Sequence, residues 1–315
     1  MKRSTALAVL TLIGVGATVS THEARQARAS LTVHDVSDNL YMLANAASVE
    51  GMGGGGNTAI FVTEDGVTLV DTKIEGYGED ILAAVREITD KPVTTIINTH
   101  THWDHTGTNV EFPDTVNFVV HENTRANLAS DDCDDGTGFE GGSIKNCDSF
   151  KGANARFLPE TNFSEKMTLG NGADQIDLYY FGRGHTDGDI FVVFRQARVM
   201  HTGDMFARKG LPYLDVASSN GSATDFGRTL EKAAAGISGV ETVIPGHNPV
   251  PLIWQDFVDY GGFYNDLVSK AQAGDAAGQS VDQIIEAYTL PGEYSDFVAA
   301  PDRLRATVQY LVDGQ

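Results

Sequence analysis

The chain has 315 residues and carries 43 acidic side chains against 22 Lys and Arg, for a formal net charge of −21. That length suits one large α/β domain with a full core. So acidic a surface repels nucleic-acid phosphates and anionic lipid, and no basic cluster offsets it, which removes nucleic acid from the expected partners.

Residues 1–29 read as an export signal, with Lys2 and Arg3 as a basic start, an apolar run over 6–19 and Ala27-Arg28-Ala29 as a small-x-small cleavage site. Val15-Gly16-Ala17 is a rival site, because His22, Glu23 and Arg25 separate the apolar run from the first. The apolar run is shorter than the roughly 20 residues that span a bilayer, so cleavage and no stable membrane insertion are expected, with a secreted or periplasmic product. The mature domain, 30–315, then holds 18 basic and 42 acidic side chains, a net −24.

Beyond Leu31, short apolar runs alternate with glycine-rich or polar turns and with helical patterns, an α/β layout. Strands are predicted over 40–43, 59–62 and 67–70. Ile81, Leu82, Val85 and Ile88 then mark one face of a helix, and 94–98 is the next strand. Further strands fall at 116–120, 176–181, 190–194, 198–202 and 242–244, and helices at 226–235, 254–273, 281–288 and 302–312. Cys133 and Cys147 are the only cysteines and lie in a polar Gly- and Asp-rich stretch, 130–152, which reads as an insertion stapled by a disulfide. Its aspartates lack the spacing of a calcium loop. Residues 51–56 are glycine-rich but lack the Lys and Ser/Thr of a phosphate cradle, and read as a mobile loop near a site mouth, with Met52 available to an apolar substituent.

The densest chemistry follows the strand at 94–98. His100-Thr101-His102-Trp103-Asp104-His105 sets three imidazoles and a carboxylate within six residues of a chain that has nine histidines in all. Imidazole nitrogen and carboxylate oxygen are good zinc ligands, and so tight a cluster is costly unless a cation neutralises and orients it. The competing reading is a polar surface loop. Gly184-His185, Gly203-Asp204 and Gly246-His247 each add one ligand type beside a glycine after a predicted strand. Strand-end loops of α/β proteins converge on common sites, so the four loops are expected to meet.

This ordered set resembles the metallo-β-lactamase superfamily over about residues 38–250, including Gly56-Asn57-Thr58 and Leu69-Val70-Asp71-Thr72. The resemblance implies an αββα sandwich, two mixed β-sheets flanked by helices, with the site at one edge. It implies two zinc ions, with iron or manganese as alternatives: His100, His102 and His185 on the first, Asp104, His105 and His247 on the second, and Asp204 bridging. The β-lactamase branches lack this bridging Asp, so its presence is more like the lactonase and glyoxalase II pattern.

A zinc pair would hold a bridging hydroxide that attacks the carbonyl of a lactone, ester or lactam in a small-molecule substrate. A β-lactamase proper and an acyl-homoserine lactonase are the nearest alternatives, and a di-iron redox protein or a non-catalytic metal binder are the others. Asp104, in the metal loop, and Tyr213, a short loop beyond Asp204, are the candidate catalytic side chains; for Tyr213 the competing reading is rim packing. Asp71 is read either as orienting a ligand histidine or as a strand-end turn residue. His121 and His201 are surplus to the ligand set.

Overall fold

The structure is a computed structural model that describes residues 30–45, 53–131 and 146–315. The export segment, Met52 and Cys133 lie outside the described residues. A first sheet takes β1 (Leu31–Ser37), β2 (Leu40–Asn45), β3 (Thr58–Val62), β4 (Val67–Val70), β5 (Val93–Ile97), β6 (Asn117–His121) and β7 (Thr161–Phe163) in chain order. β1 to β4 pair antiparallel, and β4 to β7 pair parallel. The parallel connections run through α1 (Gly78–Ile88), α2 (Trp103–Thr106) and α3 (Glu122–Leu128).

A second sheet takes β8 (Lys166–Leu169), β9 (Ile176–Tyr179), β10 (Phe191–Phe194), β11 (Val199–His201), β12 (Thr242–Ile244) and β13 (Leu252–Ile253), again in chain order. Only β11 and β12 are parallel, joined through α4 (Ala223–Gly236). The chain closes with α5 (Trp254–Ala276), α6 (Val281–Ala287) and α7 (Pro301–Val312).

Strand periodicity of two builds the layers. Phe61, Val70 and Ile97 face Val192, Phe194 and Ile244 between the sheets. Their neighbours Ile60, Leu69 and Ile96 point outward onto Ile81, Ala84 and Val85 of α1. Phe191, Val193 and Val243 point the opposite way, onto Phe226 and Leu230 of α4 and Phe257, Tyr260 and Tyr264 of α5. Each such side chain, taken out of water, contributes about 1.5–3 kcal/mol. The expected αββα sandwich is therefore the observed one. No described helix is long and apolar enough to cross a membrane.

The elements the sequence pattern did not announce are β1, β7, β8, β13, α2 and α3. The strands among them are short or half-exposed pieces at or next to sheet edges, where alternation is weak. Residues 146–157 return over the outer face of the first sheet, where Phe150 and Phe157 join the core. Cys147 is buried and disulfide-bonded.

Candidate metal centre

The parallel pairs β4–β5 and β11–β12 end at one edge of the sandwich, and the chemistry-bearing loops leave from there. Asp71 follows β4, His100 to His105 follow β5, Asp204 follows β11 and His247 follows β12, while His185 comes from the β9–β10 connection. The two sheets are locked together at this edge by Asn57, whose N–H donates to the Gly246 carbonyl at 2.7 Å and whose side-chain amide donates to the Pro245 and Asn248 carbonyls. Space is tight. A Cβ on Gly246 would run into the Asp204 carboxylate, and one on Gly56 into the His105 ring, which is why glycine stands at both places.

The fold brings all seven sequence-predicted ligands together. His100, His102 and His185 form one buried group, and Asp104, His105 and His247 another, each with candidate donor atoms within 4.8 Å of one another. Asp204 reaches both: Oδ2 lies 3.7 Å from His185 Nε2 and 3.2 Å from His247 Nε2, and Oδ1 lies 3.4 Å from His105 Nε2. Asp104 Oδ2 is 3.2 Å from His247 Nε2.

The tautomers make the case for a cation. His185 Nδ1 faces the Tyr213 carbonyl at 2.7 Å, and His102 Nε2 faces an Asp215 oxygen at 3.1 Å. Both partners only accept, so both of those nitrogens carry the hydrogens. The remaining nitrogens, His185 Nε2 and His102 Nδ1, then point bare lone pairs at each other across 2.9 Å. A shared cation reconciles them. In addition, His100 Nε2, Asp104 Oδ2 and Asp204 Oδ1 are buried without a hydrogen-bond partner, a cost that metal ligation removes. Five imidazoles and two carboxylates fit zinc in both groups.

Charge is distributed to match. Burial, reinforced by the neighbouring imidazoles, holds His100 well below the usual histidine range and His185 at about 4, so both present neutral donors. Burial also opposes protonation of His105 and His247, but the carboxylates beside them prevail and raise both. Burial works against ionising Asp204 and Asp104, yet the same histidines pull both carboxyls down.

Asp71 adopts φ 61° and is fully buried. It accepts the Thr99 N–H at 2.8 Å and the Thr99 hydroxyl at 2.7 Å, and binds His105 Nδ1 at 2.6 Å. Orienting the ligands is thus its place here. Asp215, which orients His102, carries no sequence signal and was missed. So was Lys73, fully buried, held down to about 7 by burial and donating to the Gly56 carbonyl at 2.8 Å. Asp189, raised to about 7 by burial, ties the His185 turn through the Thr186 N–H and hydroxyl. His201 bonds the Asn57 carbonyl, and His121 stacks on Tyr180 away from both groups. Gly54 to Gly56 are buried beneath the metal loop, with Gly56 N–H on the Asp104 carbonyl, so this part of the glycine run is packing and not a mobile mouth.

A cavity of about 840 Å³ opens over the cluster, with His102, Asp104, His185, Asp204 and His247 at its base. Tyr213 lines it, its ring 5.9 Å from that of His185 and 6.0 Å from that of His102. Residues 207–213 and 296–303 form the other walls.

With this geometry in place, the comparisons with known proteins are direct. The sequence profile of the metallo-beta-lactamase superfamily matches residues 51–247, and the chain belongs to that superfamily. Its homologues there are hydrolases. It is similar to a metallo-beta-lactamase type 2 from Bacteroides fragilis, 24% identical over 267 residues, 83% of this chain and 89% of that protein. Among solved structures, a metallo-beta-lactamase from Pontibacter korlensis superposes with a TM-score of 0.57 at 19% identity, over 75% of this chain and 99% of that one. The DIM-1 metallo-beta-lactamase gives 0.57 at 16%, over 75% and 98%. These likenesses establish the fold.

Proposed function

We propose that the chain is an exported dinuclear zinc hydrolase that attacks the carbonyl of a lactone, ester or lactam and cleaves its acyl C–O or C–N bond. The observation that carries this reading is Asp204, one carboxylate whose two oxygens face histidines of both groups. His100, His102 and His185 would hold one ion, Asp104, His105 and His247 the other, and Asp204 would join them. A zinc pair supplies a water of near-neutral pKa as nucleophile and charge stabilisation for the developing oxyanion.

The chain's own residues do the rest. Asp71 and Asp215 keep their hydrogens on the outward nitrogens of His105 and His102, leaving lone pairs inward. Tyr213, with its backbone carbonyl fixed to His185, presents its ring beside the first group, where a substrate carbonyl would sit. The cavity volume suits a small molecule. Within that set, a β-lactamase proper is the narrower reading, favoured by the name of the Bacteroides fragilis relative.

Metal analysis of the purified protein with a substrate panel tests this: a cephalosporin, a homoserine lactone, an aryl ester and a phosphodiester. Two zinc per chain and turnover of a carbonyl substrate are expected. Fully loaded protein that turns over no carbonyl compound is a metal binder, and bound iron with a redox-active spectrum marks a di-iron protein; either overturns the reading. Export is checked by N-terminal sequencing of the protein recovered outside the cytoplasm, with Ser30 as the expected first residue.

A further inference from the structure

The wall of the cavity formed by residues 296–303 lies beyond residue 247, where the superfamily match ends. It is firmly built. Val298 N–H donates to the Lys209 carbonyl and Leu211 N–H to the Val298 carbonyl, both at 3.1 Å, so this segment is stitched to the loop that follows Asp204. Pro301 opens α7, and Leu304 anchors it in the core. Arg303 is therefore presented from a fixed backbone.

Its guanidinium lies 4.9 Å over the Tyr213 ring, an arrangement that leaves the N–H edge free to grip a planar anion. In a chain of net charge −21, a cavity-lining arginine is expected to find a carboxylate of its own. Among the described residues, neither Arg303 nor the exposed Arg208, which also lines the cavity, forms an ion pair, although Asp296 and Asp302 line it too. Lys209, by contrast, is committed to Asp256 at 2.7 Å and to Asp296 at 3.8 Å. Two guanidiniums without an ion pair thus line the cavity above the metal groups.

We propose that Arg303, stacked on Tyr213 and assisted by Arg208, is a carboxylate-recognition site, so that the preferred substrate is a carbonyl compound bearing a second, anionic group. This rests on the hydrolase reading for the word substrate, but the anion site itself is tested without turnover. The probes are 3-oxocyclopentane-1-carboxylate and its neutral carboxamide, which offer a ring carbonyl with no cleavable bond, titrated calorimetrically into the zinc-loaded full chain. Wild type is expected to bind the carboxylate about tenfold tighter than the carboxamide. Arg303→Gln is expected to lose about that factor for the carboxylate and less than about twofold for the carboxamide, with Arg303→Lys between. Equal binding of the two probes by wild type, or a preference that survives in Arg303→Gln, overturns the proposal. Should Arg303→Gln lose its fold, Arg208→Gln carries the test through an exposed side chain: the preference narrows about threefold, and an unchanged preference overturns it. Failure of the hydrolase reading shows separately, as absent turnover across the substrate panel.

Discussion

Asp71 and His105, 34 positions apart in sequence, are joined by a 2.6 Å hydrogen bond inside the protein. The same Asp71 oxygen accepts the Thr99 hydroxyl, and that hydroxyl oxygen lies 2.9 Å from His100 Nδ1. One carboxylate therefore sets the tautomer of a histidine in each metal group, keeping His105 Nε2 and His100 Nε2 as bare donors. Asp71→Asn preserves the size but puts an amide N–H₂ where an acceptor is required, against Thr99 or His105. Loss of such an orienting partner costs about 10–100-fold in metal affinity. Chelator competition on Asp71→Asn should show both zinc sites weakened, with the circular dichroism of the fold retained; two wild-type affinities would deny Asp71 this role.

Asp215 makes the opposite prediction about scope. Its carboxylate meets His102 alone among the ligand imidazoles, with its other oxygen taking the Ser218 N–H at 3.0 Å, and its own N–H donates to the carbonyl of His185, a ligand of the same group, at 2.9 Å. Asp215→Asn should weaken only the zinc held by His100, His102 and His185, again by about 10–100-fold, leaving the second site near its wild-type affinity. Stoichiometry at limiting zinc, read by mass spectrometry of the native protein, distinguishes one weakened site from two. Equal weakening of both would mean that the groups are not separable in the way their geometry indicates.

The difference between these two aspartates shows what the sequence made legible. His100, His102, Asp104 and His105 stand out because one short loop concentrates them, and His185, Asp204 and His247 because each follows a strand beside a glycine. Asp71 was visible as a strand-end residue, but its link to both groups depends on a turn at φ 61° that only the assembled sheet imposes. Asp215 was invisible, since its partner His102 is 113 positions away and nothing local marks it. The C-terminal helices announced themselves through their apolar periodicity. That the segment between α6 and α7 walls the cavity is a tertiary fact with no local signature.

The histidine environments give the metal-free protein a distinctive pH response. His105 and His247 have folded values raised above 6.5 by the adjoining carboxylates against burial, so their contribution is whole below pH 6.5 and is lost as pH rises through the raised values. His100 and His185 are lowered, the latter to about 4, so they favour the folded state above pH 6.5 and withdraw that support as pH falls towards 4. On these four histidines alone the metal-free fold is favoured most near pH 6.5; Lys73, lowered to about 7 by burial, adds stability as pH rises from 7 towards 10.5, and Asp189, raised to about 7, withdraws it as pH rises from 3.8 towards 7. Zinc bound as proposed would replace the protons on His105 and His247, so the loaded protein should lose the share of the pH dependence that these two histidines contribute above pH 6.5, and zinc affinity should climb there. Urea unfolding at a series of pH values, with and without zinc, tests this; an identical pH dependence of the two forms above pH 6.5 would contradict it.

Two glycines separate packing for function from packing for stability. Gly246 donates to the Phe206 carbonyl at 3.2 Å and accepts from Asn57, and a Cβ there would overlap the Asp204 carboxylate and the Gly203 backbone. Because the obstacle includes main chain, Gly246→Ala cannot be absorbed by rotating one side chain, and Asp204 must leave its position between the two groups. Gly261 sits inside α5, where a Cβ would meet only Leu230 at an ordinary 3.7 Å. There alanine lowers the entropy of the unfolded chain and favours the helix, a gain of about 0.5–1 kcal/mol. Gly261→Ala should therefore raise the unfolding midpoint with activity and zinc content unchanged. Gly246→Ala should lose zinc and at least about 100-fold in turnover, since displacing a direct ligand costs no less than losing its orienting partner. Zinc content and thermal melts of the two variants side by side decide the matter: full zinc in Gly246→Ala would show that the loop yields without moving Asp204, and a lowered melt for Gly261→Ala would show that α5 and α4 are closer than the contact allows.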